Sequence, residues 1–360
     1  MDRADLIVEK ANPKQANWVS RGAPDLAPNQ ARLKIDSLAL TANNVTYAIF
    51  ANFAGYWEFF PAGDAALGRV PHWGFATVEA SNVDALPVGA RIYGYLPVST
   101  DLTIEPVAFD KTGFVDGSAH RANLPAFYNR FHLTQTDPAY HADYEDHQML
   151  VRPLYATGWL IDDYMTTHKT PPNQVLVSSA SSKTALAYAH KACEREGLTL
   201  TGLTSPGNVD FVKETGFYTH VLPYDQISEI PKLAPALYAD FLGDPALRPK
   251  LSEALGDCFA GTVAIGATAW DADRSPIPSL GDTHGDVEMF FAPGHAEACA
   301  KRMGPVPFFS AMNGDMRDFY PVSAKLIKAR HIQGRKEIIE AWHDTMDGKI
   351  APTDGLILKL

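Results

Sequence analysis

Between Gln174 and Thr204 the spacing of apolar residues changes twice. Val175, Leu176 and Val177 form a continuous apolar run, the pattern of a strand buried on both faces of a parallel sheet. Small polar residues follow at Ser178, Ser179, Ser181 and Ser182. Ala185, Leu186, Ala189, Ala192 and Cys193 then recur at the three-and-four spacing of a helix with one buried face. Gly197 is the predicted stop of that helix, and Leu198 to Leu203 reads as a second strand. Strand, tight turn, helix and strand together have the length of a βαβ unit.

The alternation continues along the chain. Residues 209–215 predict a short helix, His220 to Leu222 a third strand, Ala236 to Leu242 a fourth, Pro245 to Leu255 a helix and Gly261 to Gly266 a fifth strand. Strands and helices joined by short connections predict an α/β fold with a doubly wound parallel sheet. Residues 268–320 are irregular, with DTHGDVEMFF and PVPFFSAMNGD as candidates for a last strand. Arg335 to Asp347 is a predicted amphipathic helix, with Ile338, Ile339, Trp342 and Met346 on one face and Gly348 as its stop.

The N-terminal part has a different texture. A polar lead-in contains Leu6 to Val8, which fits an edge strand, and Ala31 to Leu40 alternates as a half-buried strand does. Residues 70–96, broken by Gly and Pro every few positions, predict short antiparallel strands folded into a small barrel. Residues 97–150 carry His120, His132, His141 and His147 with little apolar periodicity, and read as an irregular or partly helical insertion. A helix is predicted over 150–167, closed by Pro171 and Pro172.

Composition narrows the class. With 360 residues, 46% hydrophobic and 20% charged, the chain has room for two domains of an ordinary globular protein. Its net charge of −11 argues against nucleic acid or an anionic membrane as partner. Cys193, Cys258 and Cys299 form no CxxC pair, so neither a disulfide framework nor a cysteine-rich zinc lobe is expected. The first residues are too polar for a signal peptide, and no apolar stretch approaches membrane-spanning length. A cytoplasmic location is the expectation.

The first turn carries the candidate chemistry. Backbone N–H groups at a helix N-terminus suit a pyrophosphate. A dinucleotide fingerprint places glycine at three positions of such a turn; here Ser179, Ser182 and Ala185 stand nearest to them, with Lys183 inside. From these residues alone, a nucleotide-binding turn and a plain sheet-to-helix connection both stay open. Two other chemistries are weaker. His141 and His147 are six residues apart, a spacing that puts them on different helix faces, so a solvated polar segment and no metal are expected there. The serines of SSASS lack a G-x-S-x-G elbow.

Several segments in order resemble motifs of the medium-chain dehydrogenase/reductase superfamily, on its zinc-independent, quinone-oxidoreductase-like side. These are ARLKIDSLALTANNVTY, LPVGARIYG, LYATGWLIDDYM, VLVSSASSKTA, GFYTHVLPYDQI, GTVAIGAT and DGKIAPTD. Within that superfamily the chain resembles the DUF2855 family, whose members share the LTANNVTYA stretch. The resemblance implies a GroES-like, partly open β-barrel domain over 1–152 and 316–360, with an insertion at about 97–150, and a Rossmann-type domain over 153–315. It further implies a small-molecule substrate in a cleft between the domains, and a homodimer.

The resemblance also assigns roles. Ser179, Ser181, Ser182, Lys183 and Thr184 would surround the cofactor phosphates, Tyr224 would lie near the adenine, and Gly266, Ala267 and Thr268 near the nicotinamide. At the end of the second strand Thr204, Ser205 and Asn208 stand where NAD enzymes keep an acid, so NADP is favoured. Asn44 and Tyr47 occupy the family's N-x-x-D places, where a phenol could donate a proton; alternatively Asn44 fixes its loop and Tyr47 packs. Tyr56 and Trp57, with Phe53, Phe59 and Phe60, would wall a flat, hydrophobic substrate or pack in the core, and Arg152 and Tyr155 are further candidates to face the cleft.

The function implied is an NADP-dependent oxidoreductase transferring hydride to an activated alkene, quinone or carbonyl without zinc. The alternatives are a non-redox nucleotide- or ligand-binding protein, or a lyase or hydrolase using the histidine-rich insertion.

Overall fold

The computed structural model describes residues 3–22, 24–266 and 287–360. The chain divides into two compact units, Met1–Leu150 with Ile327–Leu360, and Val151–Leu326. The second boundary lies beyond the 315/316 expected, because helix Pro305–Leu326 runs through it unbroken. The segment PVPFFSAMNGD is therefore the start of a helix and not a strand. Its buried residues Phe308, Met312, Met316, Phe319, Tyr320 and Ser323 keep a helical period. Pro305 and Pro307 lie in the first turn, where a missing N–H breaks no helical hydrogen bond.

The second unit contains a six-stranded, wholly parallel sheet. Its spatial order is His220–Pro223, Thr199–Thr204, Gln174–Val177, Ala236–Asp240, Phe259–Ala264, Val287–Met289. The first strand in sequence is thus central, and the winding reverses beside it, the switch point at which doubly wound sheets bind ligands. Both faces are covered, which accounts for the continuous apolar runs. Leu176, Leu203, Tyr238 and Leu251 belong to one buried cluster, and Ala180, Val212 and Val221 to another. DTHGDVEMFF does supply the last strand, over Val287–Met289. Helix Lys183–Ala192 ends at its cap Cys193, short of Gly197, which takes a positive φ in the connection that follows. Helix Glu145–Thr166 packs on it at Gly158, where an added Cβ would come within 2.6 Å of the Tyr188 backbone nitrogen.

The first unit is built of two sheets. In the smaller, Arg3–Glu9 is the middle strand, paired with Asn12–Arg21 on one side and Leu67–Gly68 on the other, so Leu6 to Val8 is not an edge. In the larger, the order is Lys328–Gln333, Asp354–Lys359, Ala31–Leu40, Pro71–Ser81, Arg91–Pro97, Arg130–Leu133, Gly113–Asp116, Pro106–Val107, with Asp101–Ile104 also paired to Ala31–Leu40. The stretch 97–150, expected to be irregular or partly helical, does hold short helical segments such as Ala126–Asn129 and Ala142–Tyr144, but it also gives four strands to this sheet. Runs of two to four residues are too short for alternation to show, and cross-strand pairing places them. Asp101 is buried between Arg3 and Arg21, at 3.1 and 2.8 Å, and so ties the two sheets together.

Candidate functional site

In the second unit the turn after strand Gln174–Val177 keeps the shape that glycine usually provides. Ser179 stands at φ +50°, the left-handed region few non-glycine residues occupy. Its N–H donates to the Tyr224 hydroxyl at 2.8 Å, and Ser182 N–H donates back to Ser179 O at 2.8 Å. Ser182 is the N-cap of helix Lys183–Ala192, its Oγ accepting from Ala185 N–H at 3.4 Å. Lys183 and Thr184 open the helix, where first-turn N–H groups lack intrahelical partners. Ser181 is held from the second strand's end: Thr204 Oγ1 lies 3.4 Å and Asn208 Nδ2 3.2 Å from its hydroxyl. Ser205 is exposed and begins the following turn.

Below this turn Asp240 gathers the strand ends. Its Oδ1 accepts from Ser178 Oγ at 3.1 Å, the Tyr238 hydroxyl at 2.8 Å, and the N–H groups of Leu242 and Gly243 at 3.0 and 2.8 Å. Gly266 donates its N–H to Asp240 O at 3.1 Å. Sequence reasoning passed over Asp240, because a lone acid at a strand end carries no motif. Burial pushes the Tyr224 hydroxyl up to about 12, so it is neutral at physiological pH. Ala267, Thr268 and the side chain of Phe53 lie outside the described residues.

In the first unit, helix Ala42–Ile49 carries Asn44 and Tyr47. Asn44 is committed to backbone: Oδ1 accepts from Thr41 N–H at 2.7 Å, and Nδ2 donates to Pro71 O at 2.9 Å. Tyr47 joins an aromatic nest. Its ring centroid lies 4.6 Å from that of Tyr56 and 5.5 Å from that of Tyr95, and Tyr128 is 4.7 Å from Tyr95. Trp73 Nε1 donates to the Tyr47 hydroxyl at 3.3 Å, and the hydroxyls of Tyr56 and Tyr128 are 3.5 Å apart. Burial raises all four phenols above the usual range, leaving them neutral donors at physiological pH. Beside Tyr128 and Trp73, Phe127 is 51% exposed and forms an apolar rim. Sequence reasoning missed Tyr95, on strand Arg91–Pro97, and Tyr128, on helix Ala126–Asn129, which the fold brings to Tyr47, and Phe127 beside them.

The other candidates are placed differently. Trp57 is buried over Gly68, where an added Cβ would meet its ring at 2.4 Å, and Phe59 and Phe60 are core residues beside buried Arg121. Arg121 pairs with Asp116 at 3.1 Å. Tyr155 is buried within the second unit, its hydroxyl 3.2 Å from His190 Nδ1 and its ring 5.0 Å from Phe319; Arg152 is also buried. His141 and His147 join no metal-ligating group among the described residues. The group that does come together is Asp163, His295 and Cys299. Its sequence signal was the four-residue spacing of His295 and Cys299 on one helix.

Comparison with known proteins places this fold. The "CurF ER cyclopropanase from curacin A biosynthetic pathway" is similar at TM-score 0.63 and 15% identity, over 100% of this chain and 99% of that one. CurA from Vibrio vulnificus in complex with NADPH is similar at TM-score 0.62 and 11% identity, over 99% and 98%. The quinone oxidoreductase from Coxiella burnetii gives TM-score 0.57 and 12% identity, over 100% of both. Among curated protein sequences none matches. A family model described as "Protein of unknown function (DUF2855)" matches residues 38–351. With so much of the chain matched, the protein belongs to the DUF2855 family, built on the GroES-like and Rossmann fold of the medium-chain dehydrogenase/reductase superfamily.

Proposed function

We propose that this protein is an NADPH-dependent oxidoreductase acting on an activated alkene, quinone or carbonyl compound. The observation that carries the reading is Ser179, which takes a left-handed conformation in the turn where a dinucleotide site would keep glycine, directly after the central strand of a parallel sheet. Ser179, Ser181, Ser182, Lys183 and Thr184 would hold the diphosphate at the helix N-terminus. Ser205 and Asn208, with buried Thr204 behind them, bring a hydroxyl and an amide, and no carboxylate, where a 2′-phosphate would lie. The NADPH in the solved structure of CurA is in keeping with this choice. When bound, NADPH supplies a hydride.

The residues of the first unit would serve the substrate. Tyr47 and its neighbours Tyr56 and Tyr128 offer neutral O–H donors in aromatic surroundings. Such a donor stabilises the oxygen of an enone or quinone as charge develops on it, and yields a proton that solvent later restores. Flat, apolar substrates suit the rings and the exposed Phe127. Titration with NADPH and with NADH, followed by intrinsic tryptophan fluorescence, tests the cofactor. Quenching by NADPH alone is expected; no response to either nucleotide overturns the reading. NADPH oxidation across a panel of enones and quinones then tests turnover. Binding without oxidation would leave a non-redox nucleotide-binding protein as the reading.

A further inference from the structure

We propose that Asp163, His295 and Cys299 form a binding site for one divalent transition-metal ion of the zinc class, apart from the residues assigned to cofactor and substrate. Helix Ala292–Met303 carries His295 and Cys299 four residues apart, so both project from one face. Helix Glu145–Thr166 supplies Asp163. The three ligand atoms lie within 4.8 Å of one another. Asp163 Oδ2 accepts from His295 Nε2 at 2.8 Å and from Cys299 Sγ at 3.1 Å. Around a tetrahedral zinc ion, neighbouring ligand atoms stand about 3.3–3.5 Å apart. The two Asp163 pairs therefore need to open by only about half an ångström, while His295 Nε2 and Cys299 Sγ already lie within 4.8 Å of each other, with the ion replacing the two shared protons.

The donor set selects the metal. An imidazole nitrogen, a thiolate sulfur and one carboxylate oxygen suit a borderline-soft ion, whereas magnesium and calcium want oxygen alone. The surroundings are those of a supported site. Arg302 pairs with the other Asp163 oxygen, Oδ1, which turns Oδ2 toward His295 and Cys299. Tyr164 and Phe290 pack against the His295 ring, with centroids 5.4 and 6.0 Å away, and fix its plane. Beside His295 opens a pocket of about 270 Å³, lined also by Tyr164, His168 and Glu288. Three protein ligands next to open space leave the fourth position to water or an exogenous group. The ion would fasten helix Ala292–Met303, which follows the sheet's last strand, to helix Glu145–Thr166.

The test uses the full chain, stripped with a chelator, dialysed and titrated with Co2+ under visible absorption. One equivalent is expected to give the intense bands of tetrahedral cobalt with thiolate-to-cobalt charge transfer, and one equivalent of Zn2+ to bleach them. Cys299→Ser loses the charge-transfer band, and His295→Gln weakens cobalt binding on the order of tenfold or more. Cys193→Ser and Cys258→Ser leave the spectrum unchanged. Far-UV circular dichroism reports whether each variant is folded. Should Cys299→Ser not fold, Asp163→Asn, which keeps a hydrogen-bond acceptor but removes the carboxylate charge, is expected to weaken binding as His295→Gln does. Absence of a thiolate band in the parent protein overturns the proposal, as does a band that survives in folded Cys299→Ser or cobalt affinity unchanged in both other ligand variants.

Discussion

The hydroxyl of Tyr224 accepts the backbone N–H of Ser179 at 2.8 Å, so a side chain of this protein already holds a donor that a diphosphate would seek. Tyr224→Phe removes that competitor. NADPH should then bind about 3- to 10-fold more tightly, the worth of one net hydrogen bond of about 1 kcal/mol. Fluorescence titration of parent and variant checks this. Weaker binding by the variant would show that the hydroxyl holds the cofactor instead of competing with it.

Ser179 adopts a conformation that costs an L-residue roughly 1–2 kcal/mol. Ser179→Gly removes that strain but adds chain entropy of about 0.5–1 kcal/mol to the unfolded state, so the urea midpoint should hold or rise slightly. Ser179→Val puts a β-branched residue at positive φ and should lower stability by roughly 1–3 kcal/mol. Equal midpoints for the glycine and valine variants would contradict the left-handed turn.

Tyr47→Phe tests the proton donor. Under the proposed function kcat should fall on the order of 100-fold, with the thermal midpoint little changed apart from the loss of the Trp73 hydrogen bond. Because burial raises this phenol above its usual range, ionisation of Tyr47 should not limit the rate below about pH 10. A variant with unimpaired kcat would assign Tyr47 to packing.

His72 makes stability depend on pH. Its ring is 2% exposed with Nδ1 3.0 Å from Val70 O, and burial pushes its pKa down to about 4. The unfolded chain titrates near 6.5, so between these values it binds a proton that the folded chain refuses. Stability is therefore lost as pH falls from about 6.5 and levels off below about 4, with His72 accounting for about 2 kcal/mol between pH 7 and pH 5. His147 and His190, also lowered by burial, act in the same direction. Urea unfolding of His72→Phe at both pH values should show a smaller acid loss than the parent; equal losses would sink the assignment.

How far the fold could be read ahead depended on whether its signal was local. Val175 to Val177, the turn serines and the helix after them lie within one stretch, and their period was enough to place a βαβ unit at the heart of a parallel sheet. Strands Asp101–Ile104 and Arg130–Leu133 were not legible, because each exists through partners distant in the sequence, and Gly113–Asp116 was too short for alternation to show. Helix Pro305–Leu326 was obscured by its prolines, although its apolar period was present.

The same division holds for chemistry. The residue types at 178–184 and at 204–208 are local, so a glycine-poor strand-to-helix turn, and the absence of an acid where NAD enzymes keep one, could be read from the chain directly. The left-handed Ser179, its contact with the Tyr224 hydroxyl, the gathering of Tyr95 and Tyr128 at Tyr47, and the meeting of Asp163 with His295 and Cys299 arise from packing between distant segments. Periodicity is set by the geometry of one segment, whereas a meeting of side chains depends on how segments far apart in the chain pack.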